Sequence, residues 1–470
     1  VLYLPHWPIP DTIGKRQIDF ETVFARAEQV LENLGNPHLA LPPIIHITGT
    51  NGKGSVASTL AKILNCAGFN ASLYTSPHLH YCNERIKIAK NADLMPIEDG
   101  YLYYLAEKTR LASNNIPLTF FEAFSIMAFI AFAENKSDIV VMEVGMGGRI
   151  DVTNIIDNKI ATIITPISLD HIEYLGDNVG KIALEKALIT RRGVPLIVGP
   201  QPQLAEEIIK IIAKDRNSPA LFYNQDFTAV KINQTENEFE TLEFKSDLNL
   251  NFNPDFAVEF LKPLNDNNDS YVFLPKPKLI GDHQYINSAI AVATIKAISD
   301  KFPIHNDVIA KAIANVEWQG RLEQHPFLVR KFLGNNSHSE IWFDGAHNID
   351  GAIALKNWLI EEQKYKKCQN FIIFGCSRGK FKPEFLENFV EIANLIAIRV
   401  NGEPYPENPE KIAEIATIKT GSENTKISLC SDLENALITI NNNHSNSEIR
   451  IVICGSLHLA RDIKLLYSNN

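Results

Sequence analysis

Short apolar runs bounded by turn residues recur along the first half of the chain, at 44–48, 71–75, 139–144, 160–165 and 194–198. They lack the strict alternation of a half-exposed strand, so they predict parallel strands buried on both faces. Between them, apolar residues repeat at helical spacing near 54–67, 97–113, 119–134 and 178–190, and an amphipathic helix over 19–34 stops at Gly35-Asn36-Pro37. Strands alternating with helices predict a doubly wound α/β sheet. From 222 to 279 the pattern changes to alternating polar and apolar positions with Asn/Asp clusters, as in 241–252 and 265–270, which predicts antiparallel hairpins. Helices near 283–299 and 306–315 then lead to a linker, Glu317-Trp318-Gln319-Gly320-Arg321. A second β/α series follows: strands 340–344, 370–375, 395–400 and 450–454, with helices 350–362, 383–392, 408–416, 432–441 and a last one near the end of the chain. The Asn-rich stretch 441–447 reads as a loop. The expected division is therefore 1–317 and 318–470.

Composition narrows this picture without changing it. A chain of 470 residues predicts more than one core. Its 45% hydrophobic and 21% charged residues are those of a globular protein. A net charge of −10 argues against a general nucleic-acid or anionic-membrane binder. Six cysteines without a C-x-x-C pair suggest neither a zinc site nor a disulfide framework. With no basic-then-apolar leader and no apolar run approaching the roughly 20 residues of a membrane span, the expectation is a soluble cytoplasmic protein.

The chemistry concentrates where the first strand ends. Ile44-Ile45-His46-Ile47-Thr48-Gly49-Thr50-Asn51-Gly52-Lys53-Gly54-Ser55 runs from an apolar strand through glycines into a helix. Glycines let amides approach oxyanions, a helix N-terminus favours negative charge, Lys53 can neutralise β/γ-phosphate and Ser55 can reach Mg²⁺. The spacing departs from G-x-x-x-x-G-K-[ST], because Gly54 separates Lys53 from Ser55; a tight turn with an exposed lysine is the plainer alternative. In doubly wound sheets ligands gather beyond the strand C-termini, where Ser76, Glu143, Asp170 and His171 also fall. Glu143 closes an apolar run, so its carboxylate needs a cation or a salt bridge. A lone histidine such as His171 is more often structural. Lys186 shares a helix face with Ile182 and Ile189, which implies partial burial and a lowered pKa; a snorkelling surface lysine is the alternative. In the second series Asp344-Gly345-Ala346-His347-Asn348 follows a strand, and Asn348 reads equally well as a helix cap. Arg321 is either a phosphate ligand or simply solvated.

Taken in order, these blocks resemble the folylpolyglutamate synthases and dihydrofolate synthases of the Mur-ligase superfamily. The resemblance rests on the phosphate loop, Tyr74-Thr75-Ser76-Pro77-His78, Asn83-Glu84-Arg85-Ile86, Thr119-Phe120-Phe121-Glu122 and Glu143-Val144-Gly145-Met146-Gly147-Gly148-Arg149. It continues through Asp151-Val152-Thr153-Asn154, Leu169-Asp170-His171, Glu185-Lys186-Ala187, Gly320-Arg321, Asp344-Gly345-Ala346-His347-Asn348 and Cys454-Gly455-Ser456-Leu457. It implies a Mur-ligase-like P-loop ATPase domain, a mostly parallel sheet with a small antiparallel β subdomain, followed by a smaller Rossmann-like α/β domain. It implies ATP-dependent addition of L-glutamate to folates and to dihydropteroate through an acyl phosphate, with a monofunctional folylpolyglutamate synthase, acting on folates alone, as the alternative.

By position, Gly49, Thr50, Asn51, Gly52, Lys53, Gly54 and Ser55 would hold ATP, with Arg321, Asp344 and His347 near the nucleotide. Ser55, Ser76 and Glu143 would hold one Mg²⁺, and His171 would share a second with Lys186 as a carbamate. Lys53, His171 and Lys186 would be catalytic, and Thr119, Phe121 and Asp151 would border the pterin. The resemblance implies small-molecule substrates only and a monomer. Three positions depart from the family pattern: Trp318-Gln319-Gly320-Arg321 for Trp-Pro-Gly-Arg, Lys186-Ala187-Leu188 for Lys-Ala-Gly, and Asp151-Val152-Thr153-Asn154 for Asp-Ala-Thr-Asn.

Two rivals make different predictions. A Mur ligase of cell-wall precursors would carry a domain ahead of the phosphate loop, where 43 residues precede Ile44. A non-catalytic ATP-binding regulator would have lost the metal or lysine positions, all of which are present.

Overall fold

The computed structural model describes residues 20–90, 93–232, 252–262, 270–334, 338–420, 427–444 and 447–468. These residues divide into two compact units, the first ending at Glu317 and excluding 279–283, the second comprising Leu279–His283 and the residues from Trp318 onward.

The first unit is built in chain order from α1 (Phe20–Asn33), β1 (Ile44–Thr48), α2 (Lys53–Cys66), β2 (Ala71–Tyr74), β3 (Ile86–Lys90), β4 (Asp93–Pro96), α3 (Asp99–Ser113), α4 (Phe120–Glu134), β5 (Ile139–Glu143), β6 (Lys159–Ile164), α5 (Ile172–Leu175), α6 (Val179–Ala187), β7 (Leu196–Val198), α7 (Gln203–Asp215) and β8 (Ala220–Phe222). Its sheet has the order β4-β3-β2-β5-β1-β6-β7-β8. Six strands are parallel, and β3 and β4 add an antiparallel edge. Strands β1, β2, β5 and β6 are buried along their whole length, as continuous apolar runs demand.

Helix α4 is apolar on nearly every face and lies in the core with Leu31, Tyr74 and Met142. It starts at a reciprocal capping box, in which Thr119 accepts from the Glu122 amide and Glu122 accepts from the Thr119 amide. A three-stranded antiparallel sheet, β9 (Phe227–Lys231), β10 (Phe256–Phe260) and β11 (Tyr271–Leu274), realises the expected hairpin region; the polar clusters at 241–251 and 265–269 lie outside the described residues. Helices α8 (His283–Ala297) and α9 (Asn306–Ile313) follow.

The second unit carries β12 (Glu323–Gln324), α10 (Pro326–Phe332), β13 (Glu340–Phe343), α11 (Ile349–Tyr365), β14 (Gln369–Phe374), α12 (Pro383–Glu387), β15 (Asn394–Ala397), α13 (Pro409–Thr420), β16 (Ser428–Leu429), α14 (Leu433–His444), β17 (Ile449–Cys454) and α15 (Leu459–Ser468). The order β12-β13-β17-β14-β15-β16 is parallel except at β12.

The Asn-rich run is not a loop from its first residue. Helix α14 continues through Asn441–Asn443 to His444, whose ring packs edge-on against Phe371 at 5.0 Å, so tertiary contact outweighs the weak helix propensity of asparagine. No helix among the described residues is long and apolar enough to cross a membrane.

Candidate active site

The site grows from the C-terminal end of β1. Gly49 has φ +146, and a Cβ there would lie 1.8 Å from Thr165 Oγ1, so only glycine lets the chain leave β1 at this angle. The Thr50 and Asn51 amides donate to Pro166 O at 3.0 and 3.2 Å. This pins the loop against Pro166, and the first-turn amides of α2 that follow have no intrahelical acceptor. Lys53 Nζ donates to Gly49 O and Thr50 O, both at 3.3 Å, and sits 3.8 Å from Glu143 Oε1. Ser55 is buried on the first turn of α2. Glu143, the last residue of β5, is buried and accepts from the Ser76 amide at 3.2 Å. Ser76 and Lys53 thus meet on one carboxylate, which answers the question the sequence posed about an acid in an apolar strand.

One pocket in this unit is lined by Gly49, Thr50, Lys53, residues 145–147, Asp170, His171 and Lys186. Lys186 is 4% exposed, and its amine donates to Gly49 O at 2.7 Å. Burial foremost, with the charge of Lys53 assisting, lowers its pKa to about 7 against the pull of Asp170 and Asp151. The amine is therefore deeper than the sequence reading required. Ile182 and Ile189 are both fully buried beside it, although Ile189 lies beyond the end of α6 at Ala187. His171 adopts a left-handed conformation (φ 49) at the start of α5, with its Nε2 3.8 Å from Asp170 Oδ2.

The expected folate-side residues take structural contacts of their own. Thr119 caps α4, and the Phe121 ring lies so close to Gly145 that a Cβ there would approach it to 2.4 Å. Asp151 is buried and receives four bonds: the Gly145 and Met146 amides on Oδ2 (2.9 and 3.1 Å), and the Thr153 amide and hydroxyl on Oδ1 (3.0 and 2.5 Å). That fills a carboxylate's capacity, so in this conformation Asp151 shapes the pocket wall through the amides it carries.

Arg321, Asp344 and His347 cluster within the second unit. Asp344 accepts from the Leu322 amide (2.9 Å) and the Ala346 amide (2.8 Å), His347 Nδ1 lies 2.9 Å from Gly345 O, and Arg321 donates to Gly320 O at 2.9 Å. Asn348 is the N-cap of α11, accepting from the Gly351 amide at 3.0 Å. Sequence reasoning passed over Thr48, whose hydroxyl holds Gly147 O at 2.6 Å, and His46, a polar residue buried inside an apolar strand. The signal in both cases was a polar side chain within the first strand run.

Comparison with known proteins agrees with this geometry. Residues 47–295, just over half the chain, match the Mur ligase middle domain, and residues 331–466 match the C-terminal domain of dihydrofolate synthetase. The chain is 28% identical to the dihydrofolate synthetase of Saccharomyces cerevisiae over 96% of its own length and 99% of that protein. It is 31% identical to the folylpolyglutamate synthase of Lacticaseibacillus casei over 69% of each chain. The folylpolyglutamate synthase of Mycobacterium tuberculosis complexed with ADP and AMPPCP superposes with a TM-score of 0.76 at 25% identity, covering 95% of this chain and 96% of that one. With a phosphate loop and a buried amine around one pocket, a buried acid 3.8 Å from Lys53, and relatives matched nearly end to end, the chain belongs to the folylpolyglutamate synthase and dihydrofolate synthase family of the Mur ligases.

Proposed function

We propose that this protein joins L-glutamate to a pterin-bearing carboxylate at the expense of ATP, accepting both folates and dihydropteroate. The observation that carries the reading is the pocket itself: Lys53 and the first turn of α2 on one side, and Lys186 held on Gly49 O, the first residue of the phosphate loop, on the other. A free carboxylate does not acylate an amine in water. The substrate carboxylate therefore attacks the γ-phosphorus of ATP, forming an acyl phosphate and releasing ADP. The α-amino group of glutamate then attacks the acyl carbon, and inorganic phosphate leaves with the former carboxylate oxygen. Lys53 and the helix amides stabilise charge on the transferring phosphoryl group, and the pocket wall shields the acyl phosphate from water.

The oxygens of Ser55, Ser76 and Glu143 are the hard donors that Mg²⁺ takes; these residues would hold it, and it would neutralise phosphate charge. His171 and an unmodified Lys186 offer nitrogen, a poor set for a second Mg²⁺. Lys186 fits as a carbamate, which needs a neutral amine, and a pKa of about 7 leaves about half of it neutral near pH 7. Arg321, Asp344 and His347 are proposed nucleotide contacts, checked by ATP affinity after Arg321→Ala.

The test offers ATP, Mg²⁺ and L-glutamate with either 7,8-dihydropteroate or tetrahydrofolate and follows ligated product by mass alongside ADP. Product from both acceptors supports the full reading. The match of 331–466 to a dihydrofolate synthetase domain and the end-to-end similarity to the yeast enzyme favour a second reading, dihydropteroate alone, which product in the first tube only would support. No product in either would overturn the assignment.

A further inference from the structure

A buried polar chain runs from β1 to the pocket wall, and the reaction does not use it directly. His46 is fully buried, with Nε2 2.9 Å from Thr153 Oγ1. Thr153 Oγ1 in turn lies 2.5 Å from Asp151 Oδ1. The carboxylate can only accept, so the Thr153 hydroxyl donates to it; its remaining lone pair must then accept from a protonated Nε2 of His46. That fixes His46 as the neutral Nε2–H tautomer with a bare Nδ1. Nδ1 indeed has no hydrogen-bond partner, and burial with the nearby Lys159 and Arg191 charges pushes the histidine well below its ordinary range. The far oxygen of Asp151 accepts from the Gly145 and Met146 amides; both residues line the pocket, and the Phe121 ring lies against Gly145.

We propose that His46 and Thr153 are positioning residues of the ligase site, which lock the Asp151 carboxylate in the rotamer that holds the Gly145–Met146 backbone in the pocket wall. The chain acts on the wall nearest Phe121. It does not act on Lys53, held on Gly49 O and Thr50 O, or on the loop leading into α2, whose Thr50 and Asn51 amides are held on Pro166 O. The inference rests on the ligase reading for its kinetic consequence only.

The test compares Thr153→Val, which keeps shape and removes the donor, with Thr153→Ser, which keeps the hydroxyl, in the full chain. Amide exchange read by mass spectrometry should rise roughly tenfold in a peptide spanning 143–152 of the Val protein while α2 stays as in the wild type. The KM for the pterin carboxylate should rise roughly tenfold with the KM for ATP within about twofold, and Ser should restore both readouts. His46→Leu should move the same two readouts in the same direction by a smaller factor. Unchanged exchange in the Val protein, a Ser protein behaving like Val, or a parallel rise in both KM values with exchange increased throughout would each overturn the relay. A wild-type protein that makes no glutamylated product would sink the functional reading instead, and the exchange comparison would still decide the relay.

Discussion

Two lysine amines lie buried in the first unit, Lys186 at the C-terminal ends of the strands and Lys159 at the N-terminal end of β6. Both have pKa values lowered chiefly by burial. Their partners differ. Lys159 donates to Asn154 Oδ1 (2.6 Å) and Ile189 O (3.0 Å), and it borders no pocket described above. Lys186 donates to Gly49 O and lines the pocket with Lys53 and His171. A depressed pKa alone therefore does not mark a reactive group. What separates a clamp from a reagent is whether an incoming molecule can reach the amine.

The sharpest way to break this comparison is to remove each amine. Lys186→Ala should lower kcat by about a thousandfold, the scale of losing a group that stabilises transferring charge. Its melting temperature should hold or rise, because an imperfectly solvated amine is gone. Lys159→Met should keep kcat within about tenfold and lose stability instead. If Lys159→Met abolished turnover in a protein that melts like the wild type, the division into clamp and reagent would be wrong. A smaller loss, about a hundredfold in kcat/KM for ATP, is expected for Lys53→Ala, since the first-turn amides of α2 remain to hold phosphate.

The two lysines also show what the chain discloses about itself. Lys186 was legible because its burial is local: Ile182 stands four residues before it and Ile189 three after, so periodicity alone places the amine on an apolar face. Lys159 follows Asp157 and Asn158, where a lysine reads as exposed. Its burial comes from Asn154 folding back and from Ile189, 30 residues later, and no window along the sequence contains both. The same reasoning explains the fold. Strands buried on both faces, such as β1 and β5, announce themselves as unbroken apolar runs. The antiparallel edge of β3 and β4 was missed because edge strands keep polar residues, among them Lys87, Lys90 and Asp93. At the site, the phosphate loop was legible as a motif, whereas the links from His46 to Thr153 and from Thr48 to Gly147 span about a hundred residues. Only the sheet order brings them together.

Lys159→Met should cost about 1–3 kcal/mol in stability, because Asn154 Oδ1 loses its donor and Ile189 O keeps only the 3.3 Å bond from Arg191. Urea unfolding monitored by circular dichroism reads this directly, and a loss below about 0.5 kcal/mol would mean that water or a rotamer change replaces the clamp.

The smallest effect concerns pH, and its sign follows from proton counts. Below the folded pKa of Lys186, about 7, both folded and unfolded chains carry the proton, and the folded state bears the full penalty of burying charge. Between about 7 and the unfolded 10.5 the unfolded chain binds the proton and the folded chain does not, so this group raises stability as pH increases. Lys159 acts in the same direction, since burial holds its pKa well below 10.5 as well. Urea midpoints taken at intervals from pH 6 to 9 should therefore rise less steeply in Lys186→Met than in the wild type, and Lys159→Met should lose slope across the same range. A carbamate holds the folded-state nitrogen without the ammonium proton, so added bicarbonate should raise the urea midpoint and carry the Lys186 share of the slope below about pH 7, while the Lys159 share stays as it was. That asymmetry separates the two amines by chemistry without any measurement of turnover, and equal responses to bicarbonate would remove the reason for treating Lys186 as the reagent.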